Sequence, residues 1–386
     1  MDSLDAFARA KLAALDRASL RRSLSETWRL EGPWVERDGR RMLSFCCNDY
    51  LNLSTHPTVV SAALEATRRF GVGAGGSRLV TGNHPLYAAL EERLARLKGT
   101  EDACVFGSGY LANAGIIPAL VGRGDLLLVD ELAHACIWTG AQLAGGTVLR
   151  FRHNDAAHAG ELLAGARASH AHALILTDSV FSMDGDLAPL PALAALAERH
   201  DAWLMTDDAH GIGVLGGGRG AVHGGDLPAR VPLQMGTLSK AIGAYGGYLC
   251  ASRPVIDLIR TRARTFIYAT GLPPGTVAAA IAALDLIAAK PDYAALPVRK
   301  ARLFTSLVGL PAAVSPIVPV VLGEAPAALA ASRLLAEAGF LVSAIRPPTV
   351  PAGTSRLRFT FTAQHSDEAI TRLAGLVRER ILTRAA

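Results

Sequence analysis

Hydrophobic and polar positions change their spacing several times along the chain, and each change marks an expected element. Over the first residues, from Asp2 to about Trp28, apolar side chains such as Leu4, Phe7 and Leu12 recur at helical spacing. This pattern predicts an amphipathic helix that packs on the body of the protein. After a strand-like stretch at 42–45, short apolar runs alternate with helical patterns, and this alternation predicts an α/β architecture.

The apolar runs predict the following strands: 103–106, 126–129, 174–177, 203–206 and 248–251. The helical patterns predict helices at 85–98, closed by Gly99, and at 189–200. Near Pro273 the alternation gives way to an Ala-rich helix at 277–289, strands near Ile317 and Leu357, and helices around Leu334 and Leu373. The Gly-rich tract 211–225 predicts a flexible loop.

We therefore expect three segments. Residues 1–50 form an N-terminal helix and strand that join a small domain, 51–290 form a large α/β domain, and 291–386 form a C-terminal small α+β domain. A chain of 386 residues that is half hydrophobic is long enough for such an arrangement.

Composition narrows the function classes. No apolar stretch reaches the ~18 residues of a membrane span, and the charged N-terminus lacks a secretory apolar region, so we expect a cytoplasmic protein without membrane contact. Five cysteines with no CxxC pair predict reduced thiols and no metal site. A net charge of +5 is dispersed, which argues against nucleic acid, although Arg21, Arg22 and Arg41 could meet an anionic ligand or an acidic carrier protein.

Lys240 is the candidate for Schiff-base chemistry among the five lysines. Lys11 lies on the opening helix, Lys98 and Lys290 close predicted helices, where the dipole favours cations, and Lys300 lies in a charged run. Lys240 follows an apolar run within Gly-Thr-Leu-Ser-Lys-Ala, whose small and hydroxyl-bearing residues let a bulky cofactor approach. From this segment alone, a solvated loop lysine is the alternative.

The run Asp207-Asp208-Ala209-His210 follows a predicted strand and emerges at the carboxyl end of the sheet, where open α/β sheets bind ligands. A pyridoxal-phosphate (PLP) enzyme needs a buried carboxylate that keeps the pyridine nitrogen protonated, because the pyridinium is a strong electron sink. Asp207 suits this role, and His210 can hydrogen-bond the ring oxygen. Taken alone, the run also fits a metal-ligand pair or a solvated turn.

A phosphate site is indicated by Ser108, Gly109 and Tyr110, which lie between a predicted strand and a predicted helix. The start of a helix presents free backbone N–H groups to an anion such as the cofactor phosphate, and Thr237 could add a hydroxyl. An ordinary helix cap is the alternative for these residues.

Several other side chains are candidates. His134 follows a strand and can stack on a flat cofactor ring or be structural, and Ser179 can contact the cofactor or cap a turn. Arg346 lies between an apolar strand and two prolines, which suits bidentate recognition of a carboxylate, although a solvated strand-end arginine fits too. Arg356 and Arg358 alternate with apolar residues, so at least one of them is expected to face solvent.

Together with Lys240, the segments Asp207–His210 and Phe181–Asp186 resemble those of the α-oxoamine synthases, PLP enzymes with the aspartate aminotransferase fold. Further matching segments are Asn48–Leu51, Gly75–Arg78, His84–Tyr87 and Gly236–Lys240. The resemblance covers nearly the whole chain, and the joint order of its segments makes chance negligible. It implies the PLP-dependent transferase fold type I: a large domain with a mostly parallel seven-stranded sheet flanked by helices, and a small α+β domain formed by the N- and C-terminal segments.

The resemblance also implies the roles of single residues. Lys240 would form the Schiff base with PLP, Asp207 would face the pyridine nitrogen, His134 would stack on the ring, and His210 and Ser179 would lie near the ring oxygen. The implied phosphate contacts are Ser108, Gly109, Tyr110 and Thr237, with Thr270 reaching the phosphate held by the partner subunit of a homodimer. The implied substrate contacts are Arg21, Asn48, His134, Arg346 and Thr349.

Within this family, Ile345–Thr354 and Ala209 resemble the branch of biotin synthesis that uses L-alanine with pimeloyl-CoA or pimeloyl-acyl carrier protein, and both donors stay open. The glycine-using branch, such as glycine C-acetyltransferase, resembles the chain less well. The segment Leu238–Ile242 has a Ser-Lys-Ala form that blurs the branch assignment. A regulatory subunit without chemistry would lack the lysine, and a simple aminotransferase would need a clamp for a dicarboxylate.

Overall fold

The computed structural model describes residues 2–225 and 229–384. It divides into two compact units: unit 1 comprises Met1–Cys47 and Arg299–Ala386, and unit 2 comprises Asn48–Val298. The sequence alone predicts boundaries at 50 and 290, whereas the chain passes between units at 47 and 298. The N-terminal and C-terminal segments thus belong to one unit.

The helices are α1 (Asp2–Arg17), α2 (Pro57–Phe70), α3 (Leu86–Lys98), α4 (Gly109–Leu120), α5 (Ala135–Ala144), α6 (Ala156–Ala166), α7 (Leu190–Arg199), α8 (Arg253–Arg262), α9 (Arg264–Ile267), α10 (Pro274–Ala289), α11 (Pro291–Val308), α12 (Ala325–Glu337) and α13 (Asp367–Arg380). The strands are β1 (Trp28–Arg29), β2 (Trp34–Arg37), β3 (Arg40–Ser44), β4 (Asp102–Phe106), β5 (Leu126–Asp130), β6 (Thr147–Phe151), β7 (Ala173–Asp178), β8 (Trp203–Asp207), β9 (Leu233–Thr237), β10 (Gly247–Ala251), β11 (Ile317–Gly323), β12 (Phe340–Leu341), β13 (Ser343–Ile345) and β14 (Ser355–Thr360).

Unit 2 is built on a seven-stranded sheet with the order β4-β10-β9-β8-β7-β5-β6. Its strands are parallel from β9 to β6, and β10 is antiparallel to both of its neighbours. Successive side chains of a strand point to opposite faces, so Leu127 and Val129 belong to one hydrophobic cluster and Leu126 and Leu128 to another. Helices cover both faces, and the expected mostly parallel seven-stranded sheet is confirmed.

Unit 1 contains two small sheets, β1-β2-β3-β12 and β11-β14-β13. The N-terminal strand β3 pairs in parallel with β12, and the buried rings of Phe45, Phe304, Phe340 and Phe361 share one core. Both ends of the chain therefore build the small α+β unit, as expected.

Three expectations about local structure are wrong. The first helix ends at Arg17, not near Trp28, because Ser19 adopts a left-handed conformation (φ 56°), and its apolar residues are exposed rather than packed on the body. The Gly-rich tract forms two short 3₁₀ turns tied by backbone hydrogen bonds rather than a flexible loop. Arg356 and Arg358 are both buried in β14, the central strand of its sheet.

Over 2–225 and 229–384, no single helix has the length and composition to cross a membrane. Only α10 and α11 taken together have that length and composition, and the two helices are bent by 85° relative to each other. The same residues hold no cluster of three or more His, Cys, Asp or Glu side chains suited to a metal ion. None of the five cysteines, all of which lie in the described ranges, forms a disulfide, and Cys46 and Cys47 are the two that are only half-buried.

Candidate active site

The carboxyl ends of five strands of unit 2 meet at one edge of the sheet. Strands β5, β7, β8 and β9 are parallel, and β4 runs in the same direction because two antiparallel pairings separate it from β9. The candidate side chains follow these strand ends, so the topology brings segments that are far apart in sequence to the edge where such sheets bind ligands.

Asp207 ends β8 and is buried, with 5% of its surface exposed. Its Oδ2 accepts from Asn113 Nδ2 at 2.8 Å, and its Oδ1 accepts from the backbone N–H of Ala209 at 3.0 Å. Two donors from fixed elements thus hold the carboxylate in one orientation. This geometry suits a carboxylate that faces a cationic ring nitrogen.

His134 begins α5 as its N-cap, and its Nδ1 accepts from the backbone N–H of Cys136 at 3.3 Å. The Cys136 Sγ also lies 2.8 Å from Nδ1. Burial lowers the pKa of His134; the charge of Asp207 opposes this and that of Lys240 adds to it. The ring is therefore neutral near pH 7, and because Nδ1 accepts, its proton lies on Nε2.

Asp178 ends β7 beside Asp207 and fixes the backbone of the histidine. Its Oδ2 accepts from the His134 backbone N–H at 2.7 Å. Burial and the charge of Asp207 raise the pKa of Asp178 well above its ordinary value. The buried Asp178 side chain therefore holds the backbone of His134 at the start of α5.

Lys240 lies three residues after β9 and is half-buried. Its carbonyl oxygen accepts from the Gly243 backbone N–H at 2.9 Å, which closes a tight turn. Beside the larger effects of burial and of Asp207, the Lys240 charge lowers the pKa of His134 and of Asp178. The amine therefore belongs to the same cluster as the two carboxyl groups and the imidazole.

His210 follows Asp207 by three residues and is buried. Its Nδ1 lies 2.7 Å from the hydroxyl of Tyr50, which in turn donates to Asn48 Oδ1 at 3.4 Å. The structure thus joins two predicted site residues, His210 and Asn48, through a tyrosine.

The first residues of α4 match the expected anion site in form. Ser108 Oγ accepts from the backbone N–H of Leu111 at 3.1 Å, so the serine caps the helix. The amides of Gly109 and Tyr110 are among the first N–H groups of a helix, which have no partner within it. A Cβ on Gly109 would lie 3.4 Å from the Cβ of Thr237, so the structure brings these four predicted residues together.

Ser179 and Thr270 differ from this group. Ser179 is fully buried and its hydroxyl donates to Asp208 Oδ1 at 2.5 Å, so its hydrogen is committed to that carboxylate. Thr270 is exposed, and its backbone bridges to Ser77. Its predicted role toward a partner subunit stays a prediction.

The predicted carboxylate-binding residues lie in unit 1, where a cavity of 620 Å³ is lined by Arg21, Arg346 and Thr349 among others. Arg22, predicted only as one of several basic groups that could meet an anion, also lines it and donates to Thr349 Oγ1 at 2.8 Å. Arg346 donates to the carbonyl oxygen of Ser19, and Arg21 pairs with Asp16 at 2.8 Å. Three guanidinium groups in one cavity suit an anionic ligand.

Asn113, Cys136 and Tyr50 were not identified as site residues from the sequence. Asn113 carries the one available signal, because it is a polar residue with 0% exposure within the otherwise apolar helix α4. Buried polar groups are generally hydrogen-bonded, and its partner here is Asp207.

The residues of unit 2 fit PLP. Asp207 provides an oriented buried carboxylate, His134 a neutral flat ring, Lys240 an amine, and the beginning of α4 an anion site beside Thr237. The Asn113 Oδ1 atom is buried without a hydrogen-bond partner beside this cluster. Each chemical group of the cofactor thus has a counterpart in the site.

Comparison with known proteins agrees with this geometry. The sequence profile of the family described as aminotransferase class I and II matches residues 40–377. The 8-amino-7-oxononanoate synthase of Granulibacter bethesdensis is 65% identical over 378 residues, which cover 98% of each chain. That of Beijerinckia indica subsp. indica is 62% identical over 377 residues, again with 98% of each chain covered.

Solved structures give the same result for the fold. Serine palmitoyltransferase from S. paucimobilis, in a variant with a bound PLP–myriocin aldimine, superposes with a TM-score of 0.90 at 29% identity, covering 96% of this chain and 95% of that chain. The crystal structure of 8-amino-7-oxononanoate synthase from Francisella tularensis gives a TM-score of 0.76 at 25% identity, covering 89% of this chain and 99% of that chain.

Proposed function

The chain belongs to the PLP-dependent class I and II aminotransferase family, and on that premise we propose that it is an 8-amino-7-oxononanoate synthase. It joins L-alanine to a pimeloyl thioester and releases 8-amino-7-oxononanoate, carbon dioxide and the free thiol, a step of biotin biosynthesis. The observation that carries this proposal is the single cluster of Lys240, Asp207 and His134 in a chain 65% identical, over 98% of its length, to a relative of that name.

When bound, PLP supplies an electron sink that stabilises negative charge at the α-carbon of the amino acid. We propose that the Lys240 amine takes the proton from that carbon. Asp207, held by Asn113, maintains the positive charge of the pyridine nitrogen. His134, a neutral imidazole whose Nδ1 accepts a hydrogen bond, would pack against the ring and offer its Nε2–H as a donor to the substrate.

The remaining residues bind and orient. The amides of Gly109 and Tyr110, with the cap Ser108, would hold the phosphate. Thr237 lies beside them, but its hydroxyl donates to the carbonyl oxygen of Gly246 at 2.8 Å. His210, oriented by Tyr50, would hydrogen-bond the ring oxygen, and Asn48 borders the substrate.

We propose that a carboxylate group of the substrate binds in the cavity of unit 1. The guanidinium groups of Arg21 and Arg346 with the hydroxyl of Thr349 recognise a carboxylate of the substrate, a role supported by their shared cavity. A pimeloyl thioester carries a free carboxylate at its far end, so its recognition needs such cations.

We also propose a homodimer in the cytoplasm. The segments around Gly76 and Gly271 are joined by a backbone hydrogen bond and carry exposed apolar side chains, among them Val80 (78% exposed) and Tyr268 (72%). Exposed apolar surface of this kind supports a protein interface, which would bring Thr270 to the phosphate of the partner. Five cysteines that form no disulfide support a reducing compartment.

The test is a condensation assay with the purified PLP-loaded protein. We expect L-alanine with pimeloyl-CoA, and separately with pimeloyl-acyl carrier protein, to give 8-amino-7-oxononanoate and carbon dioxide by mass spectrometry. Lys240→Ala should be inactive and the control Lys290→Ala active. Product from glycine and acetyl-CoA alone would instead make the protein a glycine C-acetyltransferase, and transamination without carbon dioxide would make it a simple aminotransferase.

A further inference from the structure

Lys98 and Asp208 form an ion pair in the interior of unit 2. Their Nζ and Oδ2 atoms are 2.6 Å apart, and both side chains are 0% exposed. Nζ also donates to the carbonyl oxygen of Arg219 at 2.7 Å. Lys98 ends α3, as its position in the sequence predicts, but its side chain also pairs with a buried carboxylate far away in the chain.

Such a pair needs an explanation other than stability. Removing two charges from water is costly, and replacing a buried ion pair by apolar residues of similar volume often leaves a protein equally stable or more stable. We therefore explain this buried pair by the orientation that it gives to the Asp208 side chain, and not by a contribution to the free energy of folding.

The orientation in question is that of Asp208, which connects three segments at the edge of the sheet. Its Oδ1 accepts from the Ser179 hydroxyl at 2.5 Å and from the Ala221 backbone N–H at 3.1 Å, while Oδ2 faces Lys98. All of these neighbours donate, an arrangement suited to an ionised carboxylate. Asp208 also follows Asp207 directly, so its position sets the backbone from which Asp207 projects.

The Gly-rich tract approaches this ion pair with its backbone. A Cβ on Gly220 would lie 1.7 Å from Asp208 Oδ2 and 2.6 Å from Lys98 Nζ, and one on Gly211 would lie 2.1 Å from Asp208 Oδ1. Gly220 also has a φ of 101°, which favours glycine. The tract can therefore approach the pair only because these positions lack side chains.

We propose that Lys98 is a positioning residue of the active site, which acts through Asp208 to fix Ser179 and the turn Asp207–His210. The inference rests on the proposed function only in taking this turn as the PLP site. Lys98 compensates the second of two adjacent acids, so that Asp207 is the carboxylate whose charge is left to act on the cofactor. Without Lys98, Asp208 would be a buried charge with no cation and would reorient or take up a proton.

The test compares Lys98→Met, which keeps the length but removes the charge, with Lys290→Met at an exposed helix end. Two quantities are measured on the full-length protein: the dissociation constant of PLP, by titrating the apoprotein, and the pH midpoint at which the bound cofactor changes its absorbance. We expect Lys98→Met to weaken PLP binding by about tenfold, as loss of an outer orienting partner typically does at metal sites, and to move the pH midpoint. Lys290→Met should match the wild type in both.

Two additional variants keep the test decisive if Lys98→Met does not fold. Lys98→Met/Asp208→Asn removes both charges together, and Ser179→Ala removes a hydroxyl on the far side of Asp208 without altering charge. We expect both to fold and to shift the pH midpoint, by less than Lys98→Met does where that variant folds. A lower melting temperature with wild-type PLP affinity and pH midpoint in the variants that fold would overturn the proposal, because it would leave Lys98 a purely structural role. Neither measurement uses substrate, so a wild-type protein that binds PLP but fails to condense alanine would refute the proposed function alone.

Discussion

His153 links two of the loops that border the active site and offers the sharpest electrostatic test of the fold. Its Nδ1 lies 3.1 Å from Asp130 Oδ1 and its Nε2 lies 2.8 Å from Asp186 Oδ2. Asp130 ends β5, four residues before His134, whereas Asp186 belongs to the segment after β7. Burial alone would lower the pKa of His153, but the two carboxylates outweigh it and raise the pKa to about 10.

The contribution of His153 to the free energy of unfolding follows from the difference between its pKa in the folded and in the unfolded state. One pH unit of difference between folded and unfolded pKa corresponds to ~1.4 kcal/mol, so a rise from 6.5 to about 10 sets a ceiling of about 5 kcal/mol. The Asp186 side chain is 41% exposed, and solvent screening reduces this contribution to about 2 kcal/mol. Because the folded pKa is raised, the stabilisation is complete below about pH 6.5 and is lost as the pH rises toward 10.

The assay is urea unfolding of wild type and His153→Gln at several values from about pH 6 to 10. We expect the difference in unfolding free energy to be about 2 kcal/mol at the acid end and to approach zero at the alkaline end. Other groups that titrate at high pH cancel in this difference. His170→Gln is the control, since its Nδ1 contacts the carbonyl oxygen of Ala166 instead of a carboxylate. A difference for His153→Gln that stays constant with pH would refute the reasoning.

Three other substitutions test separate parts of the structure. Asn113→Leu removes the donor to Asp207 Oδ2 and should lower the unfolding free energy by about 2 kcal/mol and weaken PLP binding in a titration; wild-type affinity would contradict the role of Asn113. Gly109→Ala places a Cβ 3.3 Å from the Cε atom of Met235 and should reduce PLP affinity with little change in melting temperature, whereas full affinity would argue against a phosphate at this helix start. Burial lowers the pKa of His365 to about 3, so the stability that its neutral form contributes is present above about pH 6.5 and is lost as the pH falls. In urea unfolding at decreasing pH, His365→Gln should therefore lose less unfolding free energy than the wild type. Equal losses of unfolding free energy in the two proteins would contradict this prediction.

The sequence predicted the elements whose signal is local. The strands of unit 2 carry short apolar runs, and the structure places strands at all of the predicted positions in the large sheet. Helix α3 ends at Gly99, in the left-handed conformation that glycine favours. Lys240 was identified because it follows an apolar run and small residues surround it, although the strand before it, β9, was not among the predicted strands.

The contacts that orient the site were not predictable, because each joins residues far apart in the chain. Asn113 contacts Asp207 across 94 residues, and Tyr50 contacts His210 across 160. Lys98 illustrates the limit, since a lysine at the end of a helix carries the same sequence signal whether it is solvated or fully buried. Its partner Asp208 lies 110 residues away.

The pairing of β7 with β8 brings two acidic side chains to the same face of the sheet. Asp178 and Asp207 are register partners on adjacent parallel strands, so their side chains point to the same face and two charges there would repel. Asp207 is held by the amide of Asn113 and the N–H of Ala209, whereas Asp178 is held by a single backbone N–H and has a raised pKa. The raised pKa means that Asp178 takes up a proton more readily than an exposed carboxyl does. Asp208, which follows Asp207 directly, is paired with Lys98, so each of the two acids that flank Asp207 at the ends of β7 and β8 has a feature that reduces its negative charge.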